Sequence, residues 1–78
     1  MIRIKMFGII KKYMPTVDGE GYWCVEESGE TLGEILALAQ IPPDIDRATI
    51  LVNRVRRDRD YVPCDGDIIT VMPLVAGG

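Results

Sequence analysis

One helix signal stands between two pairs of strand-like segments, and this arrangement most constrains how the 78-residue chain can fold. Residues 31–34 read Thr-Leu-Gly-Glu, the pattern of a capping box in which the first and fourth side chains each satisfy a backbone N–H. Further along, Pro42 and Pro43 are expected to end the helix firmly. Apolar residues at helical spacing predict its buried face, which consists of Leu32, Ile35, Leu36 and Ala39.

Two strands are predicted before this helix. Residues 2–7 alternate apolar and basic side chains, which is typical of a half-buried strand. Aromatic and β-branched residues at 22–26 favour a second strand, antiparallel to the first. Between the two, residues 9–14 are predicted to form a turn or two of helix that stops at Pro15, because the residue before a proline avoids the helical conformation.

Two further strands are predicted after the helix. The β-rich run at 48–53 is long enough for a central strand. Residues 54–60 carry four arginines interleaved with aspartates, which favours a solvated loop over a binding site for an acidic partner. An Asp-Gly turn signal at 65–66 precedes the last strand, at 67–72, and Pro73 marks where regular pairing is expected to stop.

The order strand, strand, helix, strand, strand predicts an α+β fold with one main helix packed on one face of a mixed sheet of about four to five strands. Rules of chain connection then place the first and last strands side by side at the centre, which is the β-grasp (ubiquitin-like) arrangement. The sequence is predicted to form a single domain over residues 1–78, with 73–78 as a flexible C-terminal tail.

Composition excludes several classes of protein. The net charge of −3 and the pI of about 4.7 argue against nucleic-acid binding, and no apolar run approaches the roughly 20 residues of a membrane span. No signal peptide is visible, so a cytoplasmic location is expected. The chain has no histidine, and Cys24 and Cys64 are too few for a zinc site or an iron–sulfur cluster. Both cysteines are expected to act as small buried apolar residues.

The sequence closes on two glycines, Gly77 and Gly78, directly after an apolar run. Glycine lacks a Cβ, so such a tail can present its terminal carboxylate inside a narrow channel of another protein. An inert, frayed terminus is the alternative interpretation. Leu74 and Val75 either cap the core or, as exposed apolar residues, anchor a partner, and the second interpretation is favoured.

Three motifs, combined with this order of elements, resemble the small sulfur-carrier proteins of the ubiquitin-like superfamily. They are Leu-Val-Asn at 51–53, Asp-Gly-Asp at 65–67 and Met-Pro-Leu-Val-Ala-Gly-Gly at 72–78. Proline five residues before the end and the segment at 9–14 look more like the small subunit of molybdopterin synthase than like its near relative, the thiamine-pathway sulfur carrier. The short helix and the arginines between 54 and 60 depart from the family pattern.

The resemblance implies a chemistry for the tail. A ubiquitin-activating-type adenylyltransferase would use ATP to adenylate the Gly78 carboxyl, and a sulfur donor would then convert it to a thiocarboxylate. The chain itself would be a non-catalytic sulfur-carrying subunit or cosubstrate without a bound cofactor. Catalysis would take place in the large subunit of molybdopterin synthase, where sulfur passes to a cyclic pyranopterin. The residues implied to bind these partners are Pro73, Leu74, Val75, Ala76 and Gly77.

Three classes of function stay open at the level of sequence. The first is a sulfur carrier for molybdopterin, or for thiamine, tRNA thiolation or another thiometabolite. The second is a ubiquitin-like protein modifier, whose Gly78 carboxyl forms an isopeptide bond with a lysine of a target. The third is a β-grasp interaction domain with an inert tail.

Overall fold

The structure is a computed structural model that describes residues 1–43, 45 and 47–73. Within these residues it contains five strands, a short 3-10 helix and one α-helix. In chain order they are β1 (Ile2–Met6), the 3-10 helix (Gly8–Tyr13), β2 (Trp23–Val25), α1 (Leu32–Ala37), β3 (Ala48–Val52), β4 (Val55–Arg56) and β5 (Ile68–Pro73).

The five strands form one mixed sheet in the order β2-β1-β5-β3-β4. β1 and β5 run parallel, with Ile4 opposite Ile69, while the other neighbouring pairs are antiparallel. The first and last strands therefore lie next to each other in the middle of the sheet. This arrangement confirms the predicted β-grasp fold.

Alternating side chains divide the sheet into a core face and an open face. The core face packs against α1 and the 3-10 helix, whose Ile10 is almost completely buried. The open face carries the side chains of the intervening strand positions, such as Arg3 and Lys5 on β1. The core cluster contains Ile2, Ile4, Met6, Ile10, Met14, Trp23, Leu32, Ile35, Leu36, Ala39, Ile50, Val52, Ile69 and Val71.

Helix α1 begins as predicted and ends earlier. Thr31 accepts a hydrogen bond from the Glu34 N–H, and the Glu34 side chain accepts one from the Thr31 N–H, so the predicted capping box is present. The helix ends at Ala37, before the two prolines, because the last turn tightens into i→i−3 hydrogen bonds such as Ala39 N–H to the Leu36 carbonyl. All four residues of the predicted buried face, Leu32, Ile35, Leu36 and Ala39, are nevertheless buried.

Strand β4 lies inside the segment that was predicted to be a charged loop. It pairs with β3 through a two-residue turn at Asn53 and Arg54, whose φ angles are 50° and 72°. Two consecutive positive φ angles are what a tight hairpin turn of type I′ requires. The expectation of a loop across 54–60 was therefore wrong for Val55–Arg56, although both of these residues are exposed as a loop would be.

Candidate functional site

The candidate site is the carboxyl end of β5, where the chain leaves the centre of the sheet. Pro73 is the last residue of this strand and pairs with Ala48 of β3, so the strand runs one residue past its predicted end. Of the predicted site residues, the structure describes Pro73 alone. The others, Leu74, Val75, Ala76, Gly77 and Gly78, lie outside the described residues.

The end of β5 is held by the chain segment that follows β1. The Phe7 N–H donates a hydrogen bond to the Val71 carbonyl across 3.0 Å. Gly8, at φ +67°, then packs its backbone so close to Pro73 that a Cβ at position 8 would lie 2.9 Å from the Pro73 Cγ. That separation is shorter than real Cβ contacts, so glycine is required there both by its φ angle and by the space. The base of the predicted tail is thus fixed on the β1 side.

The beginning of β5 is held by a buried carboxylate, Asp67, which is 9% exposed. One carboxylate oxygen accepts a hydrogen bond from the Asn53 side chain at 2.9 Å. The other accepts from the Tyr61 hydroxyl at 3.0 Å and from the Cys64 N–H at 2.9 Å. The Asn53 side chain also accepts a hydrogen bond from the Ile68 N–H, so the hairpin turn between β3 and β4 is tied to the start of β5.

Hydrogen bonding decides the charge state of Asp67. Burial alone would raise the pKa of this carboxyl, but the hydrogen bonds from Cys64, Asn53 and Tyr61, with a smaller effect of the Arg57 charge, together lower it. The same hydrogen bond raises the pKa of Tyr61, since an ionised phenol could not donate to the carboxylate. The group is therefore a charged structural anchor, distant in the strand from Pro73.

Asp67 was predicted to lie in the last strand, but its role as a buried anchor was not predicted. The sequence nevertheless contains a signal of this burial. In a strand, residues 67, 69 and 71 point to the same face of the sheet, and two of them are aliphatic. A carboxylate in such a row is expected to be buried and hydrogen-bonded. Its donors come from three separate segments, and spacing along the chain does not reveal them.

The two cysteines lie in different environments and are both free thiols. Cys24 is half-buried, and burial together with the Asp18 carboxylate, which accepts from its thiol at 3.5 Å, raises the pKa of Cys24 and keeps it protonated. Cys64 is exposed, so the expectation that both cysteines are buried was wrong for it. The physical reason is the turn before β5, in which the Cys64 backbone N–H, and not its side chain, serves the buried network.

Metal-binding clusters and membrane-spanning helices are absent from the part of the chain that the structure describes. No three His, Cys, Asp or Glu side chains among these residues come close enough to hold a metal ion. Nor is any helix within them long and apolar enough to cross a bilayer.

Comparison with known proteins defines the family. The ThiS family matches residues 16–78, and the chain therefore belongs to this family of ubiquitin-like sulfur carriers. No curated protein sequence matches the chain significantly.

Two solved structures from Haloferax volcanii are similar in fold. The crystal structure of SAMP1 superposes with a TM-score of 0.69 at 20% identity, covering 99% of this chain and 98% of that one. The solution structure of the HVO 2177 protein superposes with a TM-score of 0.62 at 25% identity, covering 99% of this chain and 85% of that one. Both likenesses extend over nearly the whole of this chain, in agreement with the β-grasp fold.

Proposed function

We propose that the protein carries sulfur as a thiocarboxylate on Gly78 and acts as the small subunit of molybdopterin synthase, in the biosynthesis of molybdenum (or tungsten) cofactor. The observation that carries this proposal is the match to the ThiS family over residues 16–78, a span that includes the two glycines at the end of the sequence. In this function the chain works in the cytoplasm and binds no cofactor of its own.

The domain suits this role for two reasons. Its described residues include no metal-binding cluster, and Pro73, at the base of the tail, is firmly held. A carboxylate is a poor electrophile, since its charge repels nucleophiles and oxide is a bad leaving group. Adenylation by ATP, with release of pyrophosphate, turns the Gly78 carboxyl into a mixed anhydride. A sulfide-level donor then attacks the carbonyl carbon, AMP leaves, and the thiocarboxylate remains.

The choice of the molybdopterin branch rests on two features next to the tail. Pro73 stands five residues before the end of the sequence, and it closes β5 against Gly8. The predicted helical segment after β1 is present as the 3-10 helix Gly8–Tyr13. Together they shape the surface from which the tail would enter the large subunit, where sulfur would pass to the cyclic pyranopterin.

A direct test detects the thiocarboxylate on a peptide without cysteine. The protein is incubated with a ubiquitin-activating-type adenylyltransferase, ATP and a sulfur donor, then alkylated with iodoacetamide and digested with Asp-N. The fragment 67–78 contains no thiol, so alkylation there reports a thiocarboxylate at Gly78 and confirms that the mature chain ends there. The control is the chain without Gly78, which we expect to stay unlabelled.

A second step separates the acceptors. The thiocarboxylated protein is mixed, before any alkylation, with the large subunit of molybdopterin synthase and cyclic pyranopterin. Loss of the group in fragment 67–78 that iodoacetamide can alkylate, together with formation of the dithiolene product, supports the proposal. Thiocarboxylated protein that transfers sulfur only to a thiamine precursor, a tRNA or another thiometabolite contradicts the molybdopterin role and supports a carrier role in another pathway. A lysine adduct without thiocarboxylate indicates a protein modifier, and a tail that is never adenylated indicates a binding domain.

A further inference from the structure

Strand β2 forms one edge of the sheet and is paired on one side only, with β1. In β1, the Arg3 N–H points towards β5, where it donates a hydrogen bond to the Asp67 carbonyl. Backbone groups of successive residues in a strand point to opposite sides. Ile2 and Ile4, the neighbours of Arg3 in the chain, therefore direct their backbone groups towards β2.

The same alternation in β2 leaves backbone groups that face away from the sheet. Val25 and Trp23 lie opposite Ile2 and Ile4 and bond to them. The backbone N–H and C=O groups of the intervening positions, 22 and 24, therefore point outward. Outward groups along a sheet edge are a template for pairing with another chain, and natural proteins usually block them.

The loop that precedes β2 blocks this edge at Tyr22. The Asp18 N–H donates to the Tyr22 carbonyl at 2.8 Å, and the Asp18 Oδ1 accepts from the Tyr22 N–H at 2.9 Å. Asp18 thus occupies both outward backbone groups of Tyr22, as a neighbouring strand would. Its Oδ2 also accepts from the Cys24 thiol at 3.5 Å, but no described residue of the loop bonds the outward backbone groups of Cys24.

Two further hydrogen bonds fix Asp18 in this position. Its Oδ1 also accepts from the Glu20 N–H at 2.8 Å, and its carbonyl accepts from the Gly21 N–H at 3.1 Å. The hydrogen bonds from the N–H groups of Tyr22 and Glu20 lower the pKa of Asp18, so its side chain is a charged acceptor at neutral pH. The loop at 18–21 is therefore already folded in the shape that covers the edge.

We propose that the loop at 18–21 keeps β2 closed to a second copy of this chain, and that β2 pairs antiparallel with its counterpart when the loop is displaced. In this pairing Cys24 lies opposite Cys24 of the second copy, on a two-fold axis. Tyr22 then lies opposite Glu26 of the second copy, and each pair exchanges its N–H and C=O hydrogen bonds. With the loop in place, the Cys24 pair alone can form. The pairing does not involve the tail, so it holds whether or not Gly78 carries sulfur.

Charge complementarity favours a second copy as the partner. Arg3 and Lys5 lie 5.9 and 4.8 Å from the centre of the Tyr22 ring. Glu26 of the second copy would therefore approach two cations, and the two-fold axis repeats this contact at the other end of the pair. The opposite edge of the sheet, β4, suits self-pairing less, because it is two residues long and would bring copies of Arg56 together.

The test compares the solution mass of wild type and Asp18→Ala by sedimentation equilibrium at pH 7. Wild type is expected to be a monomer of 8.7 kDa, and Asp18→Ala a dimer of twice that mass, with a dissociation constant at least tenfold lower. Asp18→Asn keeps an acceptor oxygen and is expected to stay monomeric. Glu20→Ala is the matched control, since it removes a carboxylate of the same loop that forms no salt bridge within the described residues, and it is also expected to stay monomeric.

Two measurements show whether the dimer forms through β2. Amide hydrogen exchange of Asp18→Ala is expected to slow at least tenfold at Cys24 when the protein concentration is raised into the dimeric range. In wild type, the Tyr22 amide is expected to exchange slowly and the Cys24 amide rapidly. Cys24→Pro removes the outward N–H, so Asp18→Ala/Cys24→Pro is expected to return to the monomer.

A second variant displaces the loop without removing the carboxylate. Gly21→Ala strains the loop through its φ of +89° and is expected to dimerise as well, more weakly than Asp18→Ala. Thermal melts show that each variant is folded. Folded but monomeric Asp18→Ala and Gly21→Ala overturn the proposal. A dimer that persists with Cys24→Pro also overturns it, as does wild type that dimerises as tightly as Asp18→Ala.

Discussion

Asp67 shows how one buried charge can stabilise a strand that must start at a fixed point. Its carboxylate accepts three hydrogen bonds from Asn53, Tyr61 and Cys64 and is 9% exposed. Asp67→Asn replaces an acceptor oxygen with a donor that faces other donors. We expect the free energy of unfolding to fall by about 1–3 kcal/mol, measured by denaturant unfolding. Asp60→Asn, at an exposed aspartate, is the control and should change it by less than about 0.5 kcal/mol.

The same carboxylate predicts the direction of a pH dependence. Its pKa is lower in the folded protein than the usual value near 3.9, so its contribution to stability is full above that value and is lost as the pH falls through the folded pKa. The difference in melting temperature between wild type and Asp67→Asn is therefore expected to narrow between pH 6 and pH 3. Asp18, whose pKa is also lowered, is present in both proteins and cancels. A constant difference across this range would show that Asp67 is not the titrating anchor.

At Gly8, both the backbone conformation and the close packing against Pro73 favour glycine. Gly8→Ala would combine a φ of +67° with a 2.9 Å approach to Pro73, whereas Gly29→Ala would meet a φ of +79° and open space. We expect unfolding free energies to fall by about 1–2 kcal/mol for Gly29→Ala and by more for Gly8→Ala. Gly19→Ala, with neither constraint, should be nearly neutral. Equal losses at positions 8 and 29 would mean that Pro73 gives way freely.

At the scale of elements, packing matters more to α1 than its own helix-forming tendency. Six residues are too few for a stable isolated helix, so the apolar face holds it in place. Leu36→Ala, at a buried position, is expected to lower the free energy of unfolding by about 2–5 kcal/mol. Leu38→Ala makes the same chemical change at a side chain that is 60% exposed and should cost less than about 0.5 kcal/mol. Similar melting temperatures for the two variants would show that the buried face is misassigned.

The elements also show how much of the fold can be predicted from the sequence. Period-two alternation predicted β1, and β-rich or apolar runs bounded by turn signals predicted β2, β3 and β5. The capping box predicted the start of α1, and helical spacing predicted its buried face. β4 was missed because its turn uses Asn53 and Arg54 at positive φ where a sequence would usually signal Asn-Gly. That turn is imposed by distant contacts, since Asn53 bonds both the Ile68 carbonyl and the Ile68 N–H. Tertiary hydrogen bonds of this kind leave no local pattern.

At the scale of the whole molecule, the fold brings the first and last strands of the sheet together. β5, the last strand, lies between β1 and β3, so the sheet is complete only when the end of the chain has been added. The topology could be predicted from the order of elements alone. Which side chains are neighbours on the open face could not, because this depends on the register that places Arg3 beside Ile68 and Lys5 beside Thr70. The predicted tail leaves the domain from its most central strand.

This placement predicts that stability and activation can be separated by substitution. Deleting Gly78 is expected to leave the melting temperature unchanged within about 1 °C and to abolish thiocarboxylate formation, because in the proposed function this residue supplies the reacting carboxyl and takes no part in the core. Gly77→Val should likewise melt as wild type but block adenylation, since a branched side chain would occupy the channel that the backbone must enter. Leu36→Ala provides the opposite control, with a lowered melting temperature and normal adenylation below it. Melting by circular dichroism and pyrophosphate release measure the two properties on the same samples. A large loss of stability on deleting Gly78 would contradict a tail that stands apart from the core, and normal adenylation of Gly77→Val would contradict a narrow channel.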